Sequence, residues 1–232
     1  MIFSDRFGDD YVVIGALFVK CQKSVWERYF SGLYAKFFKR TLDIVLTLLM
    51  IVPALLVMLP FAIMIALDGS SPVYFQRRVG KGGRVFRMAK LRSMCVNAEN
   101  RLHVYLASHP DKKLEWETAQ KLQFDPRTTM IGRFIRRTSI DELPQLFNVL
   151  AGHMSLVGPR PMMEEQRCLA HADEYFLMRP GITGEWQVSK RNEVSFSERA
   201  SYDRSYFLNI SFWHDFKLLI QTVGAVLNAR GC

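Results

Sequence analysis

Acidic residues and cysteines are both scarce in this 232-residue chain. There are 22 Asp and Glu against 31 Lys and Arg, which gives a net charge of +9 and a pI near 9.5. The deficit of negative charge points towards anionic partners: nucleic acid, phosphorylated ligands or an acidic lipid surface. The four cysteines, Cys21, Cys95, Cys168 and Cys232, fall at no paired or metal-type spacing. That speaks against a disulfide framework and fits reduced thiols in a cytosol-facing protein. No internal repeat or low-complexity tract is present, so one domain with a real core is the default. The opening MIFSDRFGDDYVVIGALFVK lacks the marks of a signal peptide, because Asp5, Asp9 and Asp10 stand where a positive region belongs. Residues 1–35 read as an extension whose YVVIGALFV run suits a packed strand or helix.

Charge of either sign is missing from one long stretch. Residues 44–67, IVLTLLMIVPALLVMLPFAIMIAL, are uncharged throughout and long enough to span a hydrocarbon core of about 30 Å. Basic residues flank both ends, with Arg28, Lys36, Lys39 and Arg40 before it and Arg77, Arg78, Lys81 and Arg84 after it. A spanning helix favours one basic side. Pro53 and Pro60 each remove a helical donor and crowd the carbonyl four residues back, at Leu49 and Leu56. These features favour a re-entrant membrane helix–break–helix over residues 36–68, broken at Pro53 and Pro60, that enters and leaves by the cytoplasmic face. A simple span is the competing topology. Either way, residues 69–232 are held at a bilayer.

In the remainder, SPVYFQRRVGKGGRVFRMAKL (71–91) reads as a β-hairpin about Gly80-Lys81-Gly82-Gly83. The turn lacks the spacing, and the Ser or Thr after Lys, of a phosphate-binding P-loop. Residues 93–122 read as helical with a break at Pro110, and DPRTT (125–129) as a turn. MIGRFIRR reads as a short basic amphipathic helix, apolar at Met130, Ile131, Phe134 and Ile135. FWHDFKLLIQTVGAVL (212–227) is a helix with an aromatic start. The fold class is an α-dominated α+β, with membrane-associated helices and a small β-hairpin.

Where acid does occur, it is doubled. In TSIDELPQLFNVLAGHMSLVGPRP (138–161), Asp141 and Glu142 stand side by side just after Arg133, Arg136 and Arg137. Ser139 to Glu142 match a capping box, and Pro144 suits a first turn, so Asp141 is expected to cap a helix over 142–150. A helix terminus and neighbouring guanidiniums both favour the ionised carboxylate, which predicts a lowered pKa. Asp141 would then be available as a nucleophile or metal ligand, and Glu142 as a second ligand to a divalent cation. An ordinary capped helix with solvated charges uses the same residues. SLVGPRP stiffens a loop around Arg160, suited to bidentate phosphate recognition or, equally, to a structural salt bridge. RPGITGEWQV (179–188) offers Arg179, Trp186 and Gln187 as ligand contacts.

Taken in order, FKR before the apolar run, SPVYFQRRVG, FRMAKLRSM, DPRTTMIGRFIRRTSIDELPQLFNVLAGHMSLVGPRP and RPGITGEWQV resemble the bacterial sugar transferases. These are the monotopic polyprenyl-phosphate phosphoglycosyl transferases, and the resemblance runs from about Phe37 to the C-terminus. It implies an enzyme of the bacterial inner membrane, with its catalytic domain on the cytoplasmic face. Such an enzyme moves a sugar 1-phosphate from a UDP-sugar (a hexose, glucose or galactose) to undecaprenyl phosphate. This initiates exopolysaccharide or other glycoconjugate synthesis. Carried over, Asp141 is the nucleophile that forms a phosphosugar–aspartyl intermediate, and Glu142 its partner beside Mg²⁺. Lys90, Arg136 and Arg160 hold phosphates, and Gln76, Arg78 and Gln187 are further substrate contacts. The partners implied are the two substrates and membrane lipid, with a homo-oligomer open and nucleic acid excluded. The family breaks its membrane helix at a Ser-Pro pair, whereas Val52 and Leu59 precede the prolines here, so the hinge position stays open. Two rival readings are a tethered nucleic-acid or anionic-lipid binding module and a scaffold without catalysis.

Overall fold

The computed structural model describes residues 32–119, 122, 124–169, 173–189 and 196–227. The expectation for the YVVIGALFV run lies outside these residues. A π-helical turn, Tyr34–Phe38, runs directly into helix α1, Lys39–Ala66. The expected break is not seen, since α1 continues through Pro53 and Pro60 as one 28-residue element. The carbonyls that the prolines displace belong to Leu49 and Leu56, which are 69% and 71% exposed. Each ring is therefore accommodated on the outward side of the helix, where nothing packs against it, and the chain does not have to break.

Both ends of α1 are tied to the same body. At its start, Arg40 donates to the carbonyls of Val149 (2.8 Å) and Leu150 (3.2 Å). One turn later, buried Asp43 accepts from the Ser155 hydroxyl (2.8 Å) and the Leu156 N–H (3.0 Å). At its end, Arg92 pairs with Asp68 (2.6 Å) and donates to the Ile65 carbonyl (3.1 Å). Between these ties, Leu46 and Ala54 pack on the main core, and Met58, Phe61, Ala62 and Ile65 on a second cluster with Leu91 and Ile135. The opposite face leaves Val45, Leu48, Val52, Leu59 and Ile63 exposed.

Strands β1 (Val73–Val79) and β2 (Val85–Leu91) form the expected antiparallel hairpin, with Gly82 and Gly83 at positive φ in its turn. The register sets Tyr74 opposite Lys90 and Gln76 opposite Met88, so Tyr74, Gln76, Arg78, Met88 and Lys90 share one face. Helices α2 (Ala98–Ser108) and α3 (Pro110–Ala119) meet at the expected break. Then come α4 (Met130–Arg137), capped by the Thr129 hydroxyl on the Gly132 N–H, and the short α5 (Gln145–Leu150). Strand β3 (Ser155–Val157) pairs in parallel with β4 (Gly181–Thr183), after α6 (Glu174–Leu177). The sequence reading contains neither strand, because three residues carry no readable alternation. The chain continues through α7 (Glu185–Val188), α8 (Phe196–Asn209) and α9 (Phe212–Leu227).

The main core gathers Val149, Met154, Leu156 and Val157 with Tyr206, Phe207 and Leu218 of α8 and α9. Helix α9 turns Phe212, Trp213, Phe216, Ile220 and Val223 outwards. Two ring contacts join the apolar surfaces: Tyr34 meets Phe212 edge-on, and Phe61 of α1 stacks on Phe134 of α4 at 5.5 Å.

Candidate active site

Between α4 and α5 the chain makes a tight turn, and this turn displaces the expected cap. Ser139 takes a left-handed conformation (φ 58°) and its side chain caps nothing; Ile140–Glu142 then form one 3₁₀ turn. Pro144, not Asp141, precedes the first residue of α5, so Asp141 lies a turn upstream of that helix. It is 8% exposed, with Lys90 Nζ 3.8 Å from its Oδ2 and 2.7 Å from Glu142 Oε1. The predicted pKa shift has the wrong sign. Burial raises the Asp141 carboxyl to about 6, against the pull of Lys90 and Arg136 and with the help of Glu142. Loss of hydration outweighs two cations because neither makes a close contact with the carboxylate.

Lys90 is held in place from behind by Asn148 of α5. Asn148 Oδ1 accepts from the Ala89 N–H (2.9 Å) and its Nδ2 donates to the Arg87 carbonyl (2.8 Å). This buried amide mimics a strand partner for β2 and fixes the hairpin against the acidic turn. Arg136 is fixed by Ser93, whose hydroxyl accepts from Nε at 2.7 Å. Sequence reasoning missed Asn148; its one visible signal is a polar residue on the inward face of an otherwise apolar run.

Arg160 arrives on a loop pressed against the 179–184 segment. The Gly158 N–H donates to the Thr183 carbonyl and the Gly181 N–H to the Pro159 carbonyl, each at 2.8 Å. A Cβ on Gly158 would stand 2.5 Å from the Arg179 carbonyl oxygen, so only glycine permits this approach. The contact places the Arg160 guanidinium over the Trp186 ring at 4.9 Å, with Arg199 on the same ring at 5.9 Å and donating to the Arg160 carbonyl. Arg78 donates to Gln76 Oε1 (2.7 Å) and the Pro161 carbonyl (3.2 Å), while its buried Nε has no partner. Burial, then Arg160 and Arg199, push its pKa down to about 10.

These elements enclose a cleft of about 730 Å³. Asp141, Glu142, Lys90, Arg136, Arg160, Arg78, Gln76 and Gln187 all line it, although they come from five separate segments. The structure adds Arg92, Ser93, Asn97, Asn100 and Arg127, which the sequence reading did not single out for the site. Two expected contacts lie elsewhere. Arg179 donates to the Gly152 carbonyl (2.9 Å), and Trp186 stands behind Arg160 without lining the cleft. The volume and cationic lining suit a ligand that carries more than one phosphate. Among the described residues, no three His, Cys, Asp or Glu side chains gather in a metal-binding cluster. A divalent ion here would rest on Asp141, Glu142 and ligand phosphates, which is the donor set Mg²⁺ accepts.

The sequence pattern of the bacterial sugar transferases matches residues 34–229. The chain is similar to the UDP-galactose-lipid carrier transferase of Erwinia amylovora, 46% identical over 204 residues that cover 85% of this chain and 42% of that protein. It is similar to the undecaprenyl-phosphate galactose phosphotransferase of Salmonella typhimurium, 43% identical over 199 residues, 85% of this chain and 43% of that protein. The exopolysaccharide production protein ExoY of Sinorhizobium fredii is 39% identical over 196 residues, covering 83% of this chain and 87% of that protein. The chain thus spans less than half of the first two relatives and most of the third. On this match, which takes in the cleft and α1 alike, the chain belongs to the bacterial sugar transferase family.

Proposed function

We propose that the protein transfers a sugar 1-phosphate from a UDP-hexose, galactose or glucose, to undecaprenyl phosphate, opening the synthesis of an exopolysaccharide or related glycoconjugate. The observation that carries this reading is a buried carboxylate, Asp141, set beside Glu142 in the wall of a cleft where Lys90, Arg136, Arg160 and Arg78 converge. An Asp141 oxygen attacks the β-phosphorus of the UDP-sugar. The bond from that phosphorus to the bridging oxygen breaks, and UMP leaves with both electrons. A phosphate oxygen of undecaprenyl phosphate then attacks the same phosphorus and releases the Asp141 carboxylate, giving the lipid diphosphate sugar. No proton is needed in either step. Splitting the transfer in two lets one pocket handle two bulky substrates in turn.

The raised pKa suits this role. A carboxylate with a pKa of about 6 is more basic, and hence more nucleophilic, than a free one, yet remains mostly ionised near neutral pH. Lys90 lies between the two acids and would keep the incoming phosphate from being repelled, while Arg136 and Arg160 would take up charge as it moves to the leaving UMP. Mg²⁺ held by Asp141, Glu142 and the diphosphate would supply further neutralisation. A nucleic-acid groove is the poorer account, because these cations converge on an acid pair in one cleft and form no continuous basic stripe.

Helix α1 supports a reading of the membrane placement. A straight 28-residue helix is roughly 42 Å long, so a span would leave one end across the bilayer from the catalytic body. Both ends here are tied to that body, which supports a helix that stays on the cytoplasmic side of the bilayer without crossing it. Single cysteines at positions 36 and 72 should both label from the cytoplasm; labelling from opposite sides would mean a span. For the chemistry, UMP release from UDP-galactose, UDP-glucose and N-acetylated UDP-sugars is measured with undecaprenyl phosphate. A phosphosugar adduct on the Asp141 peptide is expected when the acceptor is withheld. An active enzyme that never shows it under trapping conditions would point to direct transfer.

A further inference from the structure

A second cavity, about 310 Å³, opens at the start of α1 and is separate from the cleft. Lys36, Lys39, Arg40, Lys81 and Arg179 line it, and they come from three distant parts of the chain: the first turns of the membrane helix, the hairpin turn and the segment before β4. Against these five cations the wall offers one carboxylate, Asp43, itself engaged by Ser155 and Leu156. Lys39 is matched from behind by Asp215 at 2.6 Å. Arg40 and Arg179 both cap the C-terminal carbonyls of α5, at Val149, Leu150 and Gly152. Capping accounts for two of the five cations, but not for Lys36 and Lys81. Among the described residues, no carboxylate lies within salt-bridge distance of either, and Lys36 stands over the Phe37 ring at 5.3 Å. Burial first and then Arg179 push both Arg40 and Lys81 below their ordinary values, and for Arg40 the nearby Asp43 offsets this only in part.

The position of the cavity identifies the anion that fits it. Along a helix, Lys36 to Arg40 lie roughly 6–12 Å before Ile44, where the uncharged run begins. Exposed Phe37, Phe38, Phe212 and Trp213 stand around that level, forming an aromatic and basic girdle of the kind found at lipid headgroups. We propose that this cavity binds the phosphate of an anionic glycerophospholipid, a lipid site distinct from the acceptor's place in the cleft. Lys36 and Lys81 would contact the headgroup, and Arg40 and Arg179 would form the floor. The bound lipid would fix the depth and tilt of the catalytic body at the membrane, independently of the transferase chemistry.

The test is native mass spectrometry of the full chain released from bilayer discs containing phosphatidylglycerol and phosphatidylcholine. Three proteins are compared: wild type, Lys36→Gln with Lys81→Gln, and Arg133→Gln. Arg133 is an exposed cation on α4 outside both cavities, and it controls for general charge loss. Wild type and Arg133→Gln should each retain one phosphatidylglycerol. The double variant should lose it by at least about tenfold, at unchanged folding by circular dichroism. Retention by the double variant, or equal loss in Arg133→Gln, would overturn the site. A parallel arm adds millimolar inorganic phosphate; if phosphate displaces the lipid and binds in its place, the cavity is a soluble-anion site and the lipid assignment fails. Because the readout is a lipid adduct, failure here leaves the proposed transferase activity standing, and failure of that activity leaves this site standing.

Discussion

Two buried aspartates, Asp141 and Asp215, show how differently one fold can treat a carboxylate. Asp215, 2% exposed, accepts from Tyr34 (2.7 Å), Lys39 (2.6 Å) and Tyr206 (2.7 Å). Its lone pairs are engaged, and it ties the start of α1 to α8 and α9. Asp141 is almost as buried, but its nearest cation is 3.8 Å away and that ammonium sits closer to Glu142. The protein satisfies one acid and leaves the other desolvated at the edge of a cavity. Burial of a charge is costly unless it is paired, which makes Asp141 the candidate group for a ligand or ion to complete.

Substitution should separate the two residues by the property lost. Asp141→Asn is expected to reduce UMP release by at least about a thousandfold, with the protein still folded and partitioning into membranes. Full turnover by the purified variant would remove Asp141 from the mechanism. Asp215→Ala should do the opposite. It leaves Lys39 and the Tyr34 hydroxyl without their acceptor and the Tyr206 hydroxyl with the Val157 carbonyl alone, a loss of about 3–5 kcal/mol in unfolding free energy. Molecules that stay folded should keep most of their turnover. If instead its activity falls with stability intact, Asp215 is no mere tie. Asn148→Ala lies between them. It strands the Ala89 N–H and the Arg87 carbonyl, and should cost about 2–4 kcal/mol while raising the KM for the UDP-sugar through a loosened Lys90. A stability loss with KM unchanged would show that Lys90 does not need this clamp.

How much of this was readable in the sequence depends on how local the cause was. The hairpin, the break at Pro110 and helices α4 and α9 follow from turn residues and periodicity within each segment, and all four are seen. The eight site residues could be named singly from short motifs and a family resemblance, but their meeting in one cleft depends on long-range packing. Gly158 against Arg179 and Asn148 against β2 are contacts that no window of sequence contains. The misread cap and the sign of the Asp141 shift share one origin. From the sequence, Asp141 is an acid near arginines; only the fold shows that it is buried and that Lys90 favours its neighbour. The prolines misled in the other direction, because a local rule predicted a break and exposed positions on α1 made it unnecessary.

The smallest expected effect tests the comparison most directly. Since burial raises the Asp141 pKa to about 6, above an unfolded value near 4, the folded protein binds a proton more readily than the unfolded chain does. Stability from this group is therefore full below pH 4, falls as pH rises towards 6, and is absent above it. Asn cannot ionise, so Asp141→Asn should match the wild type near pH 4 and exceed it by about 1–3 kcal/mol at pH 7. Asp203, raised to about 7 chiefly by burial, slopes the same way in both proteins, so the difference between the two curves isolates Asp141. A difference that stays flat with pH, or a variant less stable at pH 7, would mean that the carboxylate is satisfied like Asp215. Asp141 would then lack the desolvated character on which the proposed attack at phosphorus rests.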